Sequence, residues 1–287
     1  MKTSTFLLKA AVLFTIVSSV AQATEPGRPR LNIRHDRENN RVVVAWYGGE
    51  GQLARTDRLG TTAFRSTSLR ETPAPLEIEG DQGAYALVNA VGGVASENVV
   101  GYANLQLRWG MSFIANPLLQ TNVSLRSLFP TAPDGAQVMK RVGGDYVTCV
   151  YSASSAGSAG WVGPQMELPL GVGFFFINPS RDTFVQTFVG EVPIGSVTNN
   201  LPAGVSLEGA MLPLAGSINS VHNIPGQPGD NIFVFVNEGD ARGRYLRSAY
   251  SAGEGWAPDL SLAVGQGFWM QKQQAQDWIR FFSPFAQ

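Results

Sequence analysis

From Leu31 onward the apolar residues do not gather into helical stripes. They alternate with polar residues over short runs, and glycine, asparagine or proline punctuates the gaps. Successive side chains of a strand point to opposite faces, so a period of two is what a half-buried sheet requires. Leu31 to Ile33, Arg41 to Trp46 and Gly51 to Arg55 read as successive strands, with Asn39-Asn40 a suitable hairpin turn and Gly48-Gly49 the next break. The alternation continues through Phe64 to Ser68, Leu76 to Ile78 and Ala84 to Val88. A strand about every ten residues is the spacing of a β-sandwich, so residues 31–90 are predicted to form a small one. A unit of this size buries little surface alone and should pack on the remainder of the chain. Val91 to Glu97 combines small residues and paired glycines without periodicity, which makes 91–100 a linker.

Beyond the linker the chain repeats itself. Gly110-Met111-Ser112-Phe113 recurs as Gly204-Val205-Ser206-Leu207, Gly135 to Met139 as Gly229 to Phe233, and Gly171-Val172-Gly173-Phe174-Phe175 as Gly265-Gln266-Gly267-Phe268-Trp269, each 94 positions later. Tyr151-Ser152-Ala153 and Trp161 find counterparts in Tyr250-Ser251-Ala252 and Trp256. An ordered series at nearly constant offset marks a duplicated unit, with repeat one over 101–192 and repeat two over 195–285.

Five or six strands are predicted per repeat. Leu105, Leu107, Phe113 and Ala115 alternate around Gly110, Val138 to Val142 and Tyr146 to Tyr151 form a hairpin about Gly143-Gly144, and Gly173 to Ile177 with Thr183 to Val189 form another. Ser124 to Phe129 suits a short helical turn capped by Ser124, weakly matched by Ser217 to Ile224, and Lys272 to Trp278 reads as a turn-rich edge. The fold class is all-β: a small N-terminal β-sandwich followed by a duplicated β-unit with a pseudo-two-fold relation. Whether the duplicated units form two sandwiches or one barrel depends on pairings that periodicity does not report.

Composition narrows the chemistry. With 44% hydrophobic and only 15% charged residues, the 287-residue chain can build cores but few charged helices, and its 32 glycines and 17 prolines suit turns. A formal net charge of -1 gives no drive toward nucleic acid, which is not expected as a partner. Two histidines, His35 and His222, and one cysteine, Cys149, form neither an internal disulfide nor a Cys/His zinc cage; no cofactor or metal is expected. At the N-terminus Lys2 and Lys9, the apolar run Ala10 to Val20 and the small-residue site Ala21-Gln22-Ala23 predict a signal peptide over 1–23 and a linker over 24–30. That run is about half the ~20 residues of a membrane-spanning helix, so no transmembrane span is expected after cleavage. The predicted location is outside the cytoplasm: extracellular, at the cell surface or in the periplasm.

The recurring residues have competing uses. The two Gly-x-Gly segments lack the third glycine, the Lys-Ser/Thr end and the following helix of a phosphate loop, and are better explained as bends that turn Phe174 and Phe268 into the core. Trp161 and Trp256 follow Ser/Gly-rich loops; they either close the core of each repeat or present an indole on which a sugar ring stacks, which makes them the candidate ligand-binding residues. No serine sits in a nucleophile elbow, Cys149 reads as a buried apolar residue, and the acidic residues do not recur between repeats, so no catalytic residue is assigned.

The opening strand Gly110 to Leu118 and the closing Gly265-Gln266-Gly267-Phe268-Trp269 resemble those of tandem β-repeats in uncharacterised secreted bacterial proteins, with Met111 and Val205 where the opening tryptophan of such repeats stands. The segment Leu31 to Val88, with Asn40 to Trp46 and Ala84 to Leu87, is similar to the small fibronectin- or immunoglobulin-like sandwich placed beside them. The resemblance implies an extracellular accessory protein and carries over no active-site residue. The expected function is a non-enzymatic secreted or envelope-associated β-protein with a structural, adhesive or assembly role. Its expected partners are a surface polysaccharide or another envelope protein. The alternatives are a carbohydrate-binding module using Trp161 and Trp256 and, with less support, a divergent secreted hydrolase.

Overall fold

The computed structural model describes residues 28–59, 64–89, 93–154, 159–239 and 243–283. The signal segment expected over 1–23 lies outside these residues. The N-terminal part contains β1 (Arg30–Asp36), β2 (Arg41–Tyr47), β3 (Gln52–Thr56), β4 (Arg65–Ser66), β5 (Ala74–Glu77) and β6 (Gln82–Val88). Repeat one adds β7 (Val99–Leu107), β8 (Gly110–Ala115), the helical turn α1 (Leu125–Leu128), β9 (Gln137–Val142), β10 (Asp145–Ser152), β11 (Gly160–Val162), β12 (Gly173–Asn178) and β13 (Phe184–Val192). Repeat two adds β14 (Gly195–Leu201), β15 (Gly204–Gly209), β16 (Gly216–Ser217), β17 (Asn231–Val236), β18 (Arg244–Ser251), β19 (Gly255–Ala257), β20 (Ser261–Leu262), β21 (Gly267–Lys272) and β22 (Gln276–Phe282). The molecule is all-β, its sheets are antiparallel, and among the described residues none closes into a barrel.

The duplication is visible strand for strand. In repeat one a five-stranded sheet runs β11-β10-β9-β12-β8, and in repeat two the order is β19-β18-β17-β21-β15. β8, β9 and β12 start at Gly110, Gln137 and Gly173, and β15, β17 and β21 start at Gly204, Asn231 and Gly267, each 94 positions later. The strand before and the strand after each sheet also pair, β7 with β13 and β14 with β22. Equivalent positions fill equivalent cores: Val138 and Ile232, Leu168 and Leu262, and Phe174 and Phe268 are all buried.

The N-terminal sandwich does not end where the sequence suggests. β7 pairs with β6, so β7 and β13 of repeat one extend a sheet ordered β13-β7-β6-β3-β4, against which β1-β2-β5 packs. Both faces of β7 are buried, with Val100 and Tyr102 facing the sandwich core and Val99, Ala103 and Leu105 facing the core of repeat one. A strand covered on both sides reads as a continuous apolar run rather than an alternating one, and the chain boundary is therefore not a sheet boundary. The linker expected over 91–100 is correspondingly shorter: Val94 bridges Val88, and β7 begins at Val99.

Other local expectations change in the same way. Gly173 to Ile177 and Thr183 to Val189 do not pair with each other; β12 joins β8 and β9, while β13 crosses to β7. The buried Asn178 makes this crossing, its Nδ2 donating to Leu107 O and Asp182 O, both at 2.9 Å. Ser124 precedes α1 but makes no side-chain cap, because its Oγ donates to Asn122 Oδ1 instead. Ser217 to Ile224 contains turns and no helix, and Lys272 to Trp278 holds the turn by which the chain leaves β21 and crosses to β22, which pairs with β14 rather than with β21.

One position pair breaks the likeness between repeats. Where repeat one has Ala136 and Asn178, repeat two has Asp230 and Lys272, which form an ion pair with both side chains fully buried. Lys272 Nζ also donates to Pro225 O and Gln276 Oε1, and Asp230 accepts from the backbone N–H groups of Gln227 and Gln273. Removing one partner of a buried pair leaves an uncompensated charge at a cost of about 3–5 kcal/mol, whereas neutral replacements for both avoid it. Asp230→Ala is therefore expected to destabilise the protein by about that much in urea unfolding, and installing the repeat-one residues together (Asp230→Ala with Lys272→Asn) to recover a large part of the loss.

Candidate functional site

The Gly-x-Gly segments turn their aromatic residues inward as the sequence suggests, with Phe174 and Phe268 buried. Their glycines do something further: they join the two repeats. Ala115 N–H donates to Gly265 O at 2.8 Å and, 94 positions on from the donor and 94 back from the acceptor, Gly209 N–H donates to Gly171 O at 3.0 Å. The bridges Ile114 to Gln266 and Val172 to Glu208 are reciprocal in the same sense. Such an exchange of equivalent contacts is the signature of a two-fold axis, here between unlike halves of one chain.

The backbones come so close at this axis that side chains are excluded. A Cβ on Gly173 would lie 2.5 Å from Glu208 O, and one on Gly267 2.9 Å from Ile114 O. Gly171 and Gly265 have φ of +80° and +68°, the left-handed region that glycine enters without penalty. Beside the backbone contact, Phe113, Phe175, Leu207 and Phe235 form a buried cluster with Met111, Met139 and Trp269. Tyr146 and Tyr245, equivalent hairpin residues, stand half-exposed at its rim, 5.8 Å from Phe175 and 5.1 Å from Phe235.

Glu208 brings a carboxylate into the junction. It occupies the position of Ile114 and is only 5% exposed, its Oε2 accepting from Asn199 Nδ2 at 2.9 Å. Burial pushes its carboxyl up from 4.5 to about 7. Its signal in the sequence is an acid where the other repeat has isoleucine. His222, in the core of repeat two, moves the opposite way, its imidazole lowered from 6.5 to about 4 chiefly by burial.

Neither candidate ligand-binding residue lies at a surface. Trp161 is 3% exposed and Trp256 2%, so neither offers an indole face to a sugar ring. Each instead closes the core of its repeat. Trp161 Nε1 donates to Phe129 O at 2.6 Å and Trp256 Nε1 to Ile224 O at 2.8 Å, both spanning 32 residues. A buried indole must place its N–H on an acceptor, and the duplicated hydrogen bond accounts for the duplicated tryptophan. Cys149 is buried as expected, its Sγ 3.2 Å from Pro164 O, and burial raises its thiol above the usual range.

A cleft of about 790 Å³ lies where the N-terminal sheet meets both repeats. Its apolar wall includes Leu105, Phe113, Phe235 and Val264; its polar wall includes Arg55, Arg58, Asp57, Glu79 and Asp81. Arg55 is held by Glu79 at 2.5 Å, Asp57 at 2.9 Å and Tyr102 Oη at 3.2 Å, so much of the charge is already paired. Among the described residues that line it there is no histidine or cysteine. Nor does any cluster of His, Cys, Asp and Glu among the described residues suit a metal ion. The cleft draws on three segments distant in sequence, which is why no local motif announces it.

No protein-family model matches this chain, no curated protein is similar to it, and no solved structure matches it.

The junction makes two outcomes testable. Gly173→Ala is expected to cost about 2 kcal/mol or more in urea unfolding because the backbone opposite must move. Gly253→Ala, where a Cβ meets nothing within 4 Å, should stay within about 0.5 kcal/mol. For Glu208 the folded carboxyl holds its proton while the unfolded one releases it, so its contribution is favourable below about pH 4.5 and is lost as pH rises to about 7. Glu208→Gln should therefore remove a decline of the order of 3 kcal/mol over that interval and be more stable than the parent at pH 8. Urea midpoints measured from pH 4 to 8 check the sign.

Proposed function

We propose that the chain is an exported, non-enzymatic β-scaffold with a structural, adhesive or assembly role at the cell envelope or surface. The observation that carries this reading is where the chemically capable side chains are spent. Lys272 is on Asp230, Glu208 on Asn199, Asp259 on Ser217 and Arg55 on Glu79, each within the fold. Outward the fold offers surface for contact: the half-exposed Tyr146 and Tyr245 at the repeat junction and the exposed Ile279 and Phe281 on β22. Export rests on Lys2, Lys9, the run Ala10 to Val20 and Ala21-Gln22-Ala23, and the resemblance to secreted bacterial repeat proteins agrees with it. With both indoles buried, the carbohydrate-binding alternative has lost the residues that motivated it.

The test is a panel of glycosidase, esterase and peptidase substrates assayed on the exported chain. No turnover is the expected result; turnover that disappears on Asp57→Asn or Asp81→Asn in the cleft would replace the scaffold with a hydrolase. N-terminal sequencing of the exported protein should give Thr24 as its first residue, and recovery of Met1 would contradict cleavage after Ala23.

A further inference from the structure

The duplication supplies an internal comparison. In repeat one the strand β7 has both edges occupied, β13 on one side and β6 on the other. In repeat two the equivalent strand β14 pairs with β22 alone, and its second edge has no backbone partner among the described residues. The outward face of this pair carries Ser196, Thr198 and Asn200 on β14 beside Phe281, Ile279 and Asp277 on β22. Ile279 and Phe281 are 60% and 67% exposed. In repeat one Val189, at the position of Phe281, is covered by the N-terminal sandwich.

The open edge lacks the features that normally guard one. β1 carries Arg30, Arg34 and Asp36, β4 carries Arg65, and β5 carries Pro75 and Glu77, whereas Gly195 to Leu201 holds neither charge nor proline. Long uncharged edges invite pairing with another strand. Equivalence also gives the direction of the backbone groups. Asn104 N–H donates to Asp81 O on the β6 side, so at the corresponding Thr198, and at Ser196 and Asn200 in phase with it, the N–H and C=O groups face the open edge.

We propose that β14 pairs antiparallel with β14 of a second copy of this chain about a two-fold axis through Thr198. The segment fits itself. Thr198 meets Thr198 and Ser196 meets Asn200 as hydrogen-bonded pairs, so every outward-facing group of the three residues finds a partner in one register. Threonine opposite threonine is a favourable cross-strand pair, and no like charges oppose each other. The result is a continuous sheet β22-β14-β14-β22 with Ile279 and Phe281 of both copies on one face. This inference deepens the assembly reading by naming a partner and rests on it only in part. Enzymatic turnover would remove that reading and leave the dimer, whereas a monomer would remove the dimer and leave the reading.

Sedimentation velocity over a concentration series of the exported chain tests it. The parent is expected to self-associate, Thr198→Lys and Thr198→Glu each to weaken the dimer about tenfold by opposing like charges, and an equimolar mixture of the two to restore it. Thr198→Pro removes an outward donor without touching the β22 ladder, so it should remain folded by circular dichroism and sediment as a monomer. A parent that is monomeric throughout the series, or a dimer untouched by all three substitutions, would overturn the proposal.

Discussion

Two backbones pass one another at Gly173 and Gly267 with no room for a side chain between them, and the arrangement of the repeats depends on that approach. Amide hydrogen bonds from Ala115 to Gly265 and from Gly209 to Gly171 can form only if the strands after each glycine pair lie against the partner repeat. Once they do, the outer faces of the two five-stranded sheets meet, and Phe113, Phe175, Leu207, Phe235 and Trp269 become an interior. The inner faces are then free to build the separate cores closed by Trp161 and Trp256. A constraint on backbone distance thus sets the burial of side chains on both sides of each sheet.

Duplication supplied two copies of one plan, and their differences show how each end was adapted. Repeat one gives its strand pair β7 and β13 to the N-terminal sandwich, which lengthens the sheet and covers its outer face. In repeat two no strand among the described residues extends the same pair. Its core is also more polar, with the Asp230 and Lys272 ion pair at positions filled by Ala136 and Asn178 in repeat one, and with Glu208 where Ile114 stands. Buried Glu208 and buried His222 respond to pH in opposite directions, the first disfavouring the fold above its unfolded range and the second below its own.

Much of the fold was legible because short-range chemistry decided it. The hairpin at Gly143-Gly144 lies where paired glycines allow positive φ at both positions, 61° and 103°, and the 94-residue offset reappears in the strand starts. What was not legible depends on contacts between distant segments. The burial of Val100 and Tyr102 against one core and of Val99 and Ala103 against another makes β7 a shared strand, and alternation has no means of reporting two covered faces. The same limit applied to the tryptophans: a Ser/Gly-rich loop beside an indole is compatible with exposure, and only the acceptors Phe129 O and Ile224 O, 32 residues upstream, turn the ring inward. The cleft and Glu208 were hidden for a related reason, since one assembles from three parts of the chain and the other matters because of what its neighbours exclude.

The most direct measurement is native-state hydrogen exchange at the Ala115 and Gly209 amides. If the glycine junction binds the repeats into one body, these two should be among the slowest to exchange and should share the denaturant dependence of the core strands β12 and β21, opening only with global unfolding. Rapid exchange at both while β12 and β21 stay protected would mean that the repeats separate without unfolding, and that the junction does not hold the molecule together.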